Sequence, residues 1–113
     1  MRDVTNKMEP CIEACEACHG ACEETIVHCL KQGGTRSERD HVRLLMDCAQ
    51  ICATSADFMH RGSDFYEPAC EFCADVCEAC ADACADFPDD PIMRHCEEHC
   101  RRAAAACREM AAT

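Results

Sequence analysis

The sequence predicts an all-α fold: an antiparallel, up-down-up-down four-helix bundle with a cysteine-lined core. Three observations lead there. Apolar and cysteine residues recur at steps of three and four through nearly all of the 113 residues, the spacing of one face of an α-helix. The pattern breaks at only three places, each carrying Gly or Pro. The four stretches between the breaks are of similar length, and short links between matched helices make antiparallel neighbours. One domain over residues 1–113 is expected from that length.

Helix one is expected over 8–31, ended by Gly33 and Gly34 in KQGGTRSE (31–38). Thr35 and Glu38 stand at the spacing of a capping box and open helix two, over 36–61. Gly62 in HRGSDFYEP (60–68) ends it, Ser63 or Asp64 caps helix three over 65–86, and Pro68 falls in the first turn. Helix three stops before Pro88 in DFPDDP (86–91), and Asp90 caps helix four, over 91–111, with Pro91 at its first position. At 1.5 Å per residue each rod is roughly 30–40 Å long.

Leu, Ile, Val and Phe together number 15, few for a chain of this length, and the net charge of −11 also points towards disorder. Cysteine numbers 15 as well, and free cysteine is among the most buried residue types. The thiols therefore have to be the core. On helix one the inward ladder reads Met8, Cys11, Cys15, Cys18, Cys22, Thr25, Cys29; on helix two, His41, Leu45, Cys48, Cys52, Ser55, Met59. Helix three gives Tyr66, Cys70, Cys73, Cys77, Cys80, Cys84, Phe87, and helix four Met93, Cys96, Cys100, Ala103, Cys107, Met110. Every cysteine is on a ladder, and no ladder contains Asp, Glu, Lys or Arg. Packing alone would favour bulkier side chains with defined rotamers, so the choice of cysteine points to sulfur chemistry.

Several functional classes fall away at this stage. A disulfide scaffold is disfavoured by the odd cysteine count, by cysteines set in Ala- and Glu-rich helices, and by the polar start MRDVTNKMEP, which contains no apolar leader. A cytoplasmic location is the expectation. The excess of 22 acidic over 11 basic residues disfavours nucleic acid. No apolar run approaches a membrane span. No residues suggest a general base with an orienting partner, so no enzymatic activity is expected.

Thiols four apart on a helix share a face. Six such pairs can be read, 11/15, 18/22, 48/52, 73/77, 80/84 and 96/100, leaving Cys29, Cys70 and Cys107 near the ends. Soft thiolates suit Cu(I), Zn(II) and iron–sulfur clusters. Several Cu(I) ions per chain lead, because a monovalent ion that displaces one thiol proton leaves a buried site neutral. Zinc follows: four thiolates around it leave two negative charges, costly in a dry core. An iron–sulfur cluster is third, since no Cys-Pro occurs and the cysteines lie in regular helix. These alternatives would make the chain a metal buffer or a redox partner. Met8, Met59 and Met110 at one end, and His41 with Met93 at the other, are weaker ligand candidates. Thr25 and Ser55 are read as fillers whose hydroxyls bond back to their own helix. Leu44, Ile51 and Phe58 make a seven-spaced stripe beside the helix-two ladder, which either widens the core or packs subunits together.

The register of PCIEACEAC, the pair in CAQIC, the run CEFCADVCEACADAC and the terminal CREMAA resemble the cytosolic copper storage proteins, from about Glu9 to Ala112. The resemblance implies a bundle filled with Cu(I) on cysteine thiolates, assembled as a homotetramer, that stores or sequesters copper and is supplied by a copper chaperone. Such proteins often have further cysteines where Thr25, His41, Met93 and Ala103 stand here, which implies a lower capacity for this chain.

Overall fold

The computed structural model describes residues 8–112. The polar start MRDVTNKMEP lies, apart from Met8 and the two residues after it, outside the described residues. Four helices follow one another: α1 (Met8–Gln32), α2 (Arg39–His60), α3 (Tyr66–Cys84) and α4 (Pro91–Ala111). They stand in a square, α1 beside α2 and α4, and α3 likewise beside α2 and α4. The bundle measures 46 × 19 × 17 Å. Among the described residues, no helix is long and apolar enough to cross a membrane.

The links explain the square, and they correct two of the expected helix bounds. After α1, Gly33 and Gly34 take φ of 71° and 60°, which residues with a Cβ rarely adopt. The chain then makes a 3₁₀ turn over Gly34–Ser37. The expected capping box does not form. Within that turn Thr35 uses its backbone carbonyl to accept from the Glu38 N–H, and α2 begins at Arg39, not at 36. At the far end of α2, Gly62 (φ 62°) donates to the Met59 carbonyl and Ser63 to that of Phe58. These paired bonds are a Schellman closure. The N-cap position of α3 falls on Phe65, whose side chain makes no cap bond, and Ser63 accepts from the Phe65 N–H. The α3 helix ends at Cys84, two residues before the expected 86. Asp86 and Phe87 already donate three residues back, to Ala83 and Cys84, ahead of Pro88. Asp90 caps α4 as expected: its Oδ1 accepts from the N–H groups of Ile92 and Met93, with Pro91 between.

The core has an unusual division of labour. Its bulky members, Leu45, Met59, Met93, Met8, Ile12, Met110 and Tyr66, all sit towards the ends of helices. The long middle contains only sulfur and small side chains. Ala21, Ala49, Ala56, Ala74, Ala81, Ala103 and Ala104 are buried between the cysteine rungs. With such small residues the rods can approach closely. Outside, arginines of α4 clasp α3. Arg108 reaches Asp75 (2.8 Å) and Glu78 (3.0 Å), while Arg101 reaches Asp82 (3.2 Å) and Glu97 on its own helix. Exposed pairs of this kind contribute about 0–1 kcal/mol each, so the inward ladders carry the fold.

The stripe beside the α2 ladder is half-buried along its length. Leu44 and Ile51 pack on the core, and the guanidinium of Arg61 lies over the Phe58 ring at 5.3 Å. Ile51 also lines a shallow groove with Phe72 and Val76 of α3, and Phe72 is 59% exposed.

Candidate metal centre

All fifteen cysteines are free thiols, and none is more than 1% exposed. The 3/4 ladder on each helix turns every Sγ towards the bundle axis, so four columns of sulfur converge. Their closest meetings run across helices. Cys15 and Cys107 are 3.5 Å apart, Cys11 and Cys107 3.7 Å, Cys18 and Cys100 3.7 Å, Cys48 and Cys77 3.7 Å, and Cys52 and Cys77 3.5 Å. Of the six pairs read along single helices, only Cys73 and Cys77 are in direct sulfur contact, at 3.8 Å. Cys107, which the sequence leaves unpaired, is in fact the α4 partner of both Cys11 and Cys15. Cys29 and Cys70 do stand at the ends, and each donates its S–H to a methionine, Cys29 to Met93 (3.6 Å) and Cys70 to Met59 (3.9 Å).

Four groups of thiols bring all their sulfurs within 4.8 Å of one another: Cys18/22/48/100, Cys18/48/52/77, Cys22/80/96/100 and Cys11/15/107. The first three share members and form one continuous patch in the middle of the bundle. The last shares none. Every one of these groups is fully buried.

Burial in such a place disfavours thiolates, and only neighbouring S–H donors offset it. The pattern of shifts follows that contest. Hydrogen bonds from Cys100 first, then from Cys18, Cys22 and Cys52, lower the pKa of Cys48. Cys73 is lowered chiefly through Cys107, and Cys96 chiefly through Cys100. Their partners are correspondingly raised: Cys100 through Cys18 first, and Cys52 through Cys15 first. At the margin, burial and then the charge of Asp90 push Cys29 up to about 11.

The two ends differ. At the Asp90 end, the Asp90 carboxylate is buried and its Oδ2 accepts from His28 Nε2 (2.7 Å) and Arg36 Nε (2.9 Å). Arg36 also lies 4.9 Å over the Phe87 ring, which in turn packs on His41 at 5.5 Å. Burial lowers the His41 pKa, and its buried Nε2 is without a hydrogen-bond partner among the described residues. Met93 is fully buried beneath this cap. At the other end, Met8, Met59 and Met110 are all buried, with His60 outside them near Glu16 at 3.3 Å. The sequence reading missed the anchoring role of Arg36 and His28; Asp90, recognised only as a helix cap, was the available signal. Of the two fillers, Thr25 does bond back to its own helix, donating to the Ala21 carbonyl at 2.6 Å. Ser55 does not; it donates across to Ala69 of α3 at 3.2 Å.

The donor set, all soft sulfur with thioethers at both ends, fits a soft cation of low charge. Among known families, the one described as copper storage protein matches over residues 4–112. The chain belongs to the copper storage protein family. Solved structures agree. The Nmul_A1745 protein of Nitrosospira multiformis is 43% identical, with a TM-score of 0.87 over 94% of this chain and 95% of that one. The Cu(I)-bound copper storage protein BsCsp3 is 36% identical, with a TM-score of 0.88 over 94% and 99%. A cytosolic copper storage protein from Streptomyces lividans, loaded with five coppers, is 32% identical, with a TM-score of 0.83 over 95% and 93%. No curated protein matches the chain.

Proposed function

We propose that the chain is a cytoplasmic store that holds many Cu(I) ions on the thiolates of its fifteen cysteines, without catalytic turnover. It works as one domain over residues 1–113, assembles as a homotetramer and receives copper from a chaperone. The observation that carries this reading is the buried sulfur column itself: fifteen free thiols, inward on four helices, grouped within 4.8 Å. Each Cu(I) that replaces a thiol proton leaves the core uncharged, so successive sites fill without accumulating buried charge. The family and the copper-loaded relatives support it. Cys29 with Met93, and Cys70 with Met59, extend the column to softer, weaker donors at the ends, where His41, Met8 and Met110 also stand.

A second reading, zinc in a four-thiolate group, draws on Cys18/22/48/100. Zinc prefers a closed tetrahedron of such ligands. Against it, the neighbouring groups share Cys18, Cys48, Cys22 and Cys100, so adjacent zinc ions could not each keep four thiolates of their own.

Anaerobic titration of the reduced protein with Cu(I), in competition with a chromophoric Cu(I) chelator, tests the proposal. Uptake nearing one ion per cysteine is expected, with zinc displaced. Saturation at one or two ions per chain would end the storage reading.

A further inference from the structure

We propose that Cys11, Cys15 and Cys107 form a separate site for a trivalent, thiophilic metalloid of the arsenite class. The proposal uses sulfurs that the copper reading also uses, but does not depend on that reading. Three features of the trio support it.

The first is number. The other groups hold four sulfurs each and overlap, whereas this one holds three and shares none. The column is thinned beside it, because Ala103, one helical turn before Cys107, is a buried alanine where the ladder would continue in sulfur. Arsenic(III) binds three thiolates in a pyramid and keeps a lone pair on the fourth side. A three-sulfur group beside a small side chain meets that demand, and a four-sulfur group does not.

The second is geometry. Cys107 of α4 lies 3.7 Å from Cys11 and 3.5 Å from Cys15, both on α1. Cys107 already touches both, and all three sulfurs lie within 4.8 Å of one another, close to the base of such a pyramid, held there by the two helices before any ion arrives. Cys70 and Cys73 of α3 are not members of the group.

The third is charge. One trivalent centre on three thiolates is neutral, which a fully buried site demands. The reaction balances without an oxidant or reductant: As(OH)3 and three thiols give As(SR)3 and three waters. Three S–H and three As–O bonds break, three As–S bonds form, and each thiol proton leaves in a water. A divalent ion on the same trio would leave one negative charge.

The test uses full-length, reduced apo protein and sodium arsenite at one equivalent per chain, read by native mass spectrometry after desalting. One bound arsenic, with loss of three hydrogens, is expected. Alkylation in denaturant, run with and without arsenite and followed by peptide mapping, should modify every cysteine without arsenite and leave only Cys11, Cys15 and Cys107 unmodified with it. Cys107→Ser and Cys11→Ser should each lower arsenic retention at least tenfold, while Cys29→Ser retains it. The wild-type mapping gives a result even if one variant fails to fold. Absence of bound arsenic, protection of other cysteines, or equal loss in Cys48→Ser would overturn the proposal. A parallel Cu(I) titration separates the two readings. Copper uptake without arsenic binding removes only this site, and arsenic binding without copper uptake removes only the store.

Discussion

The two ends of the bundle are closed by different chemistry. At one, a buried carboxylate, Asp90, gathers a helix N-terminus, an imidazole and a guanidinium, and through Arg36 it ties the 3₁₀ turn to α4. At the other, Met8, Met59 and Met110 close the column with soft, polarisable thioethers, and Met59 accepts from the Cys70 thiol. The first closure depends on charge and geometry, so few changes are tolerated. The second depends on shape and softness, so a side chain of similar volume can move aside and return. The contrast is between a charged, fixed base and a softer, thioether-lined end.

The largest expected effect on that contrast comes from Asp90→Ala. It removes an N-cap and leaves Arg36 and His28 without their acceptor, lowering stability by about 2 kcal/mol. Urea denaturation of the apo protein would read this. Asp90→Asn keeps the cap but not the charge and should recover about half of the loss; an equal loss in both would show that the ion pair alone matters.

A smaller effect is expected from pH. Burial opposes ionisation of Asp90, but hydrogen bonds from His28, Arg36, Met93 and Ile92 outweigh it and hold the pKa at about 2, below the ordinary 3.8. The folded-state value is depressed. Its contribution is therefore complete above the ordinary carboxyl range and lost as pH falls through about 2. Stability measured from pH 6 downwards should fall more steeply for wild type than for Asp90→Asn. Parallel curves would remove the charge from the account.

The smallest structural effect is expected at the methionine end. Met59→Leu conserves volume and should cost under about 1.5 kcal/mol, with nearly all copper capacity kept. Stopped-flow loading should nonetheless slow, because Cys70 loses the thioether it now contacts at 3.9 Å. Unchanged loading would mean that softness at this end has no part in uptake.

Much of this molecule is written in its periodicity. Cysteine at steps of three and four has only one way to face inward on a helix, so the columns were legible before any coordinates. The same holds for Asp90 before Pro91. What was not legible depends on relations between helices. Cys107 has Ala103, not a cysteine, four residues earlier, and only the stagger of α1 against α4 shows that it meets Cys11 and Cys15. The Thr35–Glu38 capping box failed because two glycines with positive φ let the chain tighten into a 3₁₀ turn, whose backbone bond took the place of the side-chain cap. Arg36 could not be linked to Asp90 from sequence because 54 positions separate them.

The alternation of thiol and alanine along four parallel-sided rods has an architectural corollary. Seven more residues on every helix would add about 10 Å of length and two further tiers of thiols, without disturbing the tiers already present. In such a scaffold reservoir size is a matter of stature, open to gradual extension or trimming by matched insertions in all four rods, while insertion in one alone would throw its sulfurs out of step with the other three.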